Sequence, residues 1–311
     1  MLLTVTLNTS IDKLYQIDAL TPYEVMRVDG LCNTAGGKGM NVSRIAAQLG
    51  EPVTAVGFTG GFTGQYFESL ITQQNICKAF TRVEAETRCC INIWDMDKKR
   101  STECLEPGAA VTQEDVLRFY KEFEAALKKA DAVTISGSVP KGVPVECYAR
   151  LIEMCHTAEK AVLLDTSGEM LRLAVQAKPD FIKPNIDEIE QLLGYRPQTE
   201  EALVEAAQAL RKNGVGTVVV SLGAQGALMV CGDGVFSGVP PCIVPKNTVG
   251  CGDSMVAGFA VGRMRGMTAE EQLRLAVAVS AANALSMGTG GYEEADFAAI
   301  LPQVVISQLQ K

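Results

Sequence analysis

The chain has 311 residues, 47% of them hydrophobic, and a formal net charge of −8. That size and apolar content suit one large domain, or one domain with a small appendage. The acidic balance argues against general nucleic-acid binding, which needs a basic face, but it leaves room for a local cationic pocket.

In chain order, MLLTVTLNTSID lacks a basic n-region and a long apolar stretch, so it reads as a first strand and not as a signal peptide. KLYQIDALTPYEVMRVDGLC has no helical period. TAGGKGMNVSR (34–44) places Gly36, Gly37 and Gly39 around Lys38 just before a helical pattern that runs to Gly50, a C-terminal cap. VTAVGF is a strand and GQYFESLITQQN a helix; TRCCINIWDMDKKRSTECLE alternates on both sides of DMDKK, which predicts a hairpin. The helical pattern TQEDVLRFYKEFEAALKKA follows, then strands at 132–136, 161–165, 181–185, 217–221 and 226–230 with amphipathic helices between them. The last part is mostly helical, with a final helix from about residue 294.

This order predicts an α/β fold: a mainly parallel sheet with helices on both faces. The two segments without helical period, about 12–33 and 87–106, are expected to form a small antiparallel β-sheet lid over one domain spanning 1–311. A lid exposing an apolar face would also pair two copies into a homodimer. No run approaches the apolar length of a membrane-spanning helix. Ten scattered cysteines without a C-x-x-C pair point to reduced cytosolic thiols, and hence to the cytoplasm. The single histidine, His156, excludes a His-rich metal site, makes a Ser-His-Asp hydrolase a poor reading, and is expected to be structural.

The two glycine loops carry the chemistry. A nucleotide P-loop needs G-x-x-x-x-G-K-[ST]; here Cys32 stands at the first glycine position and Gly39 follows Lys38. A backbone-only cradle remains, as does a plain tight turn opening a helix. In NTVGCGDSMVAGF (247–259), Gly250, Cys251 and Gly252 lead into Asp253 at a helix start, whose free N–H groups and dipole make an anion site. A carboxylate there would repel phosphate unless it serves as a general base during phosphoryl transfer; the alternative is a simple N-cap.

AGGKGMNVSR and NTVGCGDSMVAGF, with SGSVPKG (136–142), KPNIDE (183–188) and SLGAQG (221–226) in order between them, resemble the PfkB (ribokinase-like) carbohydrate kinases. The resemblance implies a Rossmann-like domain with a β lid, and transfer of the γ-phosphate of MgATP to a sugar hydroxyl. NTSID, GGKGMNV, ETRCCINI and STECLEPG are similar to the 1-phosphofructokinase and tagatose-6-phosphate kinase branch. That branch implies fructose 1-phosphate as the substrate, with tagatose 6-phosphate, an unphosphorylated sugar or nucleoside, or a non-catalytic sugar-phosphate sensor as alternatives. A dehydrogenase is disfavoured because no G-x-G-x-x-G follows the first strand.

By the same resemblance, Asp253 is the base beside the Gly250, Cys251 and Gly252 amides. Asp12 bonds sugar hydroxyls, Gly36, Gly37 and Asn41 line the sugar pocket, and Ser138 adds a hydroxyl. Arg27, Lys38 and Arg88 are the cations for a phosphate already on the substrate. Asn185 and Glu188 order Mg²⁺ and its waters, and Ser221, Gly223, Gly226 and Asn283 form the nucleotide base and ribose pocket. The usual alanine of the C-terminal loop is here Cys251. A thiol at a helix N-terminus should have a depressed pKa and be protected from reagents by MgATP.

Overall fold

Short aliphatic runs closed by a polar or glycine residue become strands, and the amphipathic runs between them become helices. The computed structural model describes residues 1–108 and 110–310. The chain begins β1 (Leu2–Thr6), β2 (Ser10–Ile17), β3 (Gly30–Gly36), α1 (Lys38–Gln48), β4 (Val53–Gly60), α2 (Gly61–Ser69), β5 (Ile76–Lys78), β6 (Thr81–Val83), β7 (Arg88–Asp95) and β8 (Arg100–Leu105). It continues α3 (Gln113–Leu127), β9 (Ala132–Ser136), α4 (Cys147–Thr157), β10 (Ala161–Asp165), α5 (Gly168–Gln176), β11 (Phe181–Ile182), α6 (Ile186–Leu193), α7 (Glu200–Lys212) and β12 (Thr217–Ser221). It closes with β13 (Ala227–Cys231), β14 (Gly234–Val239), α8 (Cys251–Met264), α9 (Ala269–Ala284), α10 (Glu294–Ile300) and β15 (Val305–Gln310).

The larger sheet has the order β15-β14-β13-β12-β11-β10-β9-β1-β4-β5, with β6 beside β4. It is parallel from β12 to β5 and antiparallel from β12 to β15. Every residue of β1 and β9 is buried, as expected for parallel strands covered on both faces. One core, around Met40, Ile45, Val256, Phe259 and Val277, packs α1, α8 and α9 on one face. The other, around Phe119, Phe123, Tyr148, Leu151 and Leu203, packs α3, α4 and α7 on the opposite face. Sequence-local signals set the helix starts: capping boxes pair Thr112 with Asp115, Asn185 with Glu188 and Thr268 with Glu271.

The lid is a separate four-stranded sheet, β3-β2-β7-β8. Its outer pairs are antiparallel, but β2 and β7 pair in parallel, which departs from the fully antiparallel expectation. The reason is topological. β2 follows β1 and β7 follows β6, and both feeder strands run in the direction of β4. Both lid strands therefore rise from the same edge of the large sheet in the same sense. The DMDKK turn forms as expected, between β7 and β8.

Two other expectations shift. The strand expected at 181–185 stops at Ile182, because Asn185 is already the N-cap of α6. The C-terminal helix ends at Ile300, and Val305–Gln310 joins the sheet edge beside β14. Pro302 supplies no amide hydrogen and interrupts the helix.

α8 and α9 pack so closely that a Cβ at Gly258 would lie 2.5 Å from the Ala276 Cα. Alanine gains up to about 1 kcal/mol of helix propensity over glycine, but the forced separation of two helices costs about 1–3 kcal/mol. Gly258→Ala should therefore lower the midpoint of a urea melt; an unchanged or raised midpoint would show that the helices separate freely.

Candidate active site

The site lies where the parallel strands end, the usual ligand position in an open α/β sheet. Asp165 closes β10, Lys183 follows β11 and Ser221 closes β12. Two helix N-termini meet them there. Gly37, at φ 103°, turns the chain into α1 and sets Lys38 and Asn41 on its first turn. Gly250, at φ 83°, does the same for α8 and Asp253. Both turns use the left-handed region that favours glycine.

A cleft of about 410 Å³ opens between these ends and the lid. Asp12, Gly37, Lys38, Asn41 and Arg88 line one side, and Asn185, Glu188, Ser221, Gly250, Gly252 and Asp253 the other. An adjoining cavity of about 470 Å³ shares Ser221 and Gly252 and is lined by Gly223, Gly226, Pro241, Ile243, Cys251 and Met255. The register of the lid sheet brings Asp12, Leu14, Cys32, Cys90, Asn92 and Glu103 to the cleft from above.

Buried charge dominates the floor. Asp165 places one carboxylate oxygen 3.3 Å from the Lys38 ammonium and the other 3.3 Å from that of Lys183. Burial alone would raise the Asp165 pKa, but Lys183 and Lys38 outweigh it and hold the carboxyl below its ordinary value. The Asp165 carboxylate, helped by Asp253 and Glu188, in turn pushes the Lys38 ammonium up against burial. Asp253 accepts a 2.7 Å hydrogen bond from the Asn41 amide. Burial pushes its carboxyl up to about 6, with Asp165 adding and Lys38, Asn41 and Lys183 opposing. Asp253 is thus a carboxylate poised near neutrality, where a general base works best.

The C-terminal loop offers donors beside it. Ser254 N–H closes the first helical bond on the Gly250 carbonyl at 2.8 Å, which leaves the Gly252 and Asp253 N–H groups outside the helical ladder. The Cys251 N–H is 3.3 Å from the Thr248 carbonyl and is already used, so it does not supply the donor expected of it. Lys183 sits directly under this loop: a Cβ on Gly252 would lie 3.1 Å from its ammonium nitrogen.

Several expected residues have different surroundings from those anticipated. Gly36 backs Asp12, since a Cβ there would fall 2.1 Å from the carboxyl carbon. Asp12 is itself raised by burial while Ser10 donates to it at 2.6 Å. Arg88 reaches the cleft, but two of its nitrogens are bound to the Glu106 and Asn8 carbonyls at 2.8 and 3.2 Å. Arg27 is exposed on the lid loop and does not line the cleft. Ser138 accepts from Asn8 at 3.0 Å and lies outside the cleft lining.

Asn283 is fully buried and lines neither of the two cavities described above. It donates to the Val249 carbonyl at 3.0 Å and to Cys251 Sγ at 3.4 Å, and accepts from Gly290 and Gly291 at 3.0 and 3.3 Å; its amide latches two loops. Cys251 opens α8 as the motif predicts and lines the second cavity, but burial raises its pKa where a depressed one was expected. His156 lies in α4 and pairs with Asp180 at 3.6 Å, away from the cleft.

Glu188 is buried, and one of its oxygens takes the Asn185 N–H at 2.9 Å. Among the described residues no three His, Cys, Asp or Glu side chains cluster to hold a metal directly. The remaining Glu188 oxygen fits a hard cation held mostly by water and phosphate.

Asp165, Lys183 and Arg44 had no expected role. Lys183 opens KPNIDE and Arg44 closes GGKGMNVSR, so both lie within motifs that mark the site, whereas Asp165 only ends a predicted strand outside any motif.

The sequence matches the pfkB family carbohydrate kinase profile over residues 5–295. The structure is similar to Escherichia coli phosphofructokinase-2, solved in complex with potassium: 30% identity, TM-score 0.90, covering 97% of this chain and 98% of that one. A possible 1-phosphofructokinase from Thermotoga maritima gives 26% identity and TM-score 0.87 over 99% of both chains. The E. coli enzyme has also been solved with fructose-6-phosphate, at 28% identity and TM-score 0.88 over 97% of this chain and 98% of that one.

The raised Asp253 pKa carries a stability consequence. Its folded value of about 6 lies above the ordinary 3.8, so the native state binds the proton more tightly. This group's contribution to stability therefore falls as pH rises from about 4 through 6. Asp253→Asn removes that burden, on the order of 1–3 kcal/mol at about 1.4 kcal/mol per pKa unit. Thermal melts should show the variant at or above wild type at pH 8, with the advantage gone at pH 4. A clearly lower melting temperature at pH 8 would refute the raised pKa.

Proposed function

This chain belongs to the pfkB family of carbohydrate kinases, and from that premise we propose that it transfers the γ-phosphoryl group of ATP to a ketohexose phosphate, converting fructose 1-phosphate to fructose 1,6-bisphosphate. The observation that carries the reading is Asp253: a buried carboxylate with a pKa of about 6, beside a glycine loop with free N–H groups and two ammonium groups.

In this mechanism the sugar phosphate lies under the lid, with Asp12 and Asn41 on its hydroxyls and Lys38 and Arg88 toward its phosphate. ATP occupies the adjoining cavity, its base against Ile243 and Met255 and its phosphates at the Gly250–Gly252 loop. Asp253 takes the proton of the acceptor hydroxyl as that oxygen forms its bond to the γ-phosphorus. The bond from γ-phosphorus to the β–γ bridging oxygen breaks, and ADP leaves with that electron pair. The Gly252 and Asp253 N–H groups and the Lys183 ammonium stabilise charge on the transferring group. Mg²⁺, when bound near Glu188 and Asn185, supplies charge neutralisation of the nucleotide phosphates. The free thiols favour a cytoplasmic enzyme, and no helix among the described residues is long and apolar enough to cross a membrane.

A coupled ADP-release assay tests the reading with fructose 1-phosphate, tagatose 6-phosphate, fructose 6-phosphate, and free fructose and ribose. The highest kcat/KM is expected with fructose 1-phosphate. Preference for tagatose 6-phosphate would move the substrate while keeping the mechanism, and turnover only with free sugars would remove the phosphate roles of Lys38 and Arg88. With the preferred substrate, kcat should rise with pH through about 6, because the base works only when ionised. Asp253→Asn should cut kcat by about 10²–10⁴-fold and leave ATP affinity nearly intact; near-wild-type turnover would sink the base assignment.

The lid exposes Tyr23 and Val25 of its loop almost completely and Leu31 of β3 at 63%. This apolar surface supports a homodimer formed through the lid. Sedimentation equilibrium should give a dimer mass that Val25→Asp together with Leu31→Lys reduces to a monomer. Wild type sedimenting as a monomer at micromolar concentration would end that proposal.

A further inference from the structure

We propose that Arg44, on α1, is a positioning residue for phosphoryl transfer: it fixes the Asn41 amide so that the amide N–H group stays on Asp253. The inference rests on the reading of Asp253 as the base.

The argument follows from donor and acceptor chemistry. A guanidinium only donates hydrogen bonds and a carboxylate only accepts them. Asn41 stands between one of each. Its Oδ1 accepts from Arg44 Nη2, and its Nδ2 donates to Asp253 Oδ2 at 2.7 Å. With Arg44 on one side, only one rotation of the amide satisfies both neighbours. The guanidinium itself has little freedom. Nη2 also reaches the Thr289 carbonyl at 3.0 Å, Nε reaches the Gly290 carbonyl at 3.3 Å, and Nη1 donates to the Ala35 carbonyl.

Gly290 presses on the same pair from outside. A Cβ there would lie 2.9 Å from the Asn41 Cα, the Asn41 Oδ1 and the Arg44 Nη2. Asn283 then ties Gly290 to Val249, next to the phosphate loop. One planar, five-donor side chain thus links the sugar loop at Ala35, the base through Asn41, and the phosphate loop through Gly290. A lysine, a point donor, cannot span these partners.

The charged and titratable groups around Asp253 come from every neighbouring element: Lys38 and Arg44 from α1, Asp165 from β10, Lys183 after β11, and Cys251 on α8 itself. Asp12 on β2 faces Arg44, and Glu188 on α6 faces Lys38. The Asn41 bond acts to lower the Asp253 pKa against burial. Loosening that bond should therefore move the acid limb of the kcat profile to higher pH.

The experiment is a double-mutant cycle on kcat, read across pH with fructose 1-phosphate, or with whichever sugar phosphate the substrate panel prefers. Arg44→Met should lower kcat by about 10- to 100-fold and shift the acid limb upward, while the KM for ATP stays within about twofold. In an Asn41→Leu background the same change should add no more than about twofold, because residues acting through one another are not additive. Arg44→Lys keeps the buried cation, and with it the fold, and should stay slow at a near-wild-type melting temperature; it carries the test if the Met variant does not fold. Wild-type kcat and acid limb in either Arg44 variant, or losses that multiply across the cycle, would overturn the proposal. Asp253→Asn run in parallel separates the two readings. If that variant stays active the base reading fails, whereas if it is inactive while the Arg44 variants are normal, only the role of Arg44 fails.

Discussion

Two carboxylates inside the protein, Asp165 and Asp253, constrain everything around them. An isolated buried carboxylate is so poorly solvated that it protonates instead. Asp165 avoids this with two ammonium groups at 3.3 Å and remains ionised. Asp253 has only partial compensation, one amide bond and more distant lysines, and its pKa rises to about 6. Two carboxylates under nearly the same roof are thus driven apart in pKa, as acid–base sites require. Asp165 serves as the permanent counter-anion that holds Lys38 and Lys183 in place, and Asp253 is left free to exchange a proton.

That arrangement explains why the parallel sheet and the lid must share one edge. Asp165, Lys183 and Ser221 reach the site because three neighbouring parallel strands end together. β2 and β7 leave the same edge and pair in parallel above it, so the lid stands over the charges and nowhere else. Leu14 and Leu105 on its cleft face can then displace water once a substrate enters. Lower local polarity strengthens every ion pair on the floor. The lid is therefore tied to the electrostatics by topology as well as by contact.

How much of this the sequence discloses follows from the range of each interaction. The glycine loops and the DMDKK hairpin are legible because each is decided within a few residues. Asp253 is legible because its motif is local and its neighbours in sequence are unusual for an aspartate. Asp165 with Lys38 is 127 residues apart in sequence, and Asn41 with Asp253 is 212; no periodicity reports such pairs. Asn283 enters the nucleotide pocket only through the family resemblance, and the fold shows its amide bonded to Val249, Cys251, Gly290 and Gly291. The final strand is hidden for a related reason. VISQLQ is short enough to suit a helix or an edge strand, and the partner that decides, β14, lies about seventy residues away.

Cys251 shows which force prevails at the phosphate loop. A helix N-terminus favours an anion by about 0.3–1 kcal/mol when exposed, and by about 2 kcal/mol at best. That is too little to offset burial, and the pKa values of both the Cys251 thiol and the Asp253 carboxyl move upward despite their place on the first turn of α8. The dipole alone therefore does not make this loop an anion site. In the proposed mechanism the Lys183 ammonium beneath Gly252 does so, together with N–H groups that no helical carbonyl can claim. In that mechanism an incoming phosphoryl group meets that cation and those donors, while burial keeps the Cys251 thiol on the same turn uncharged.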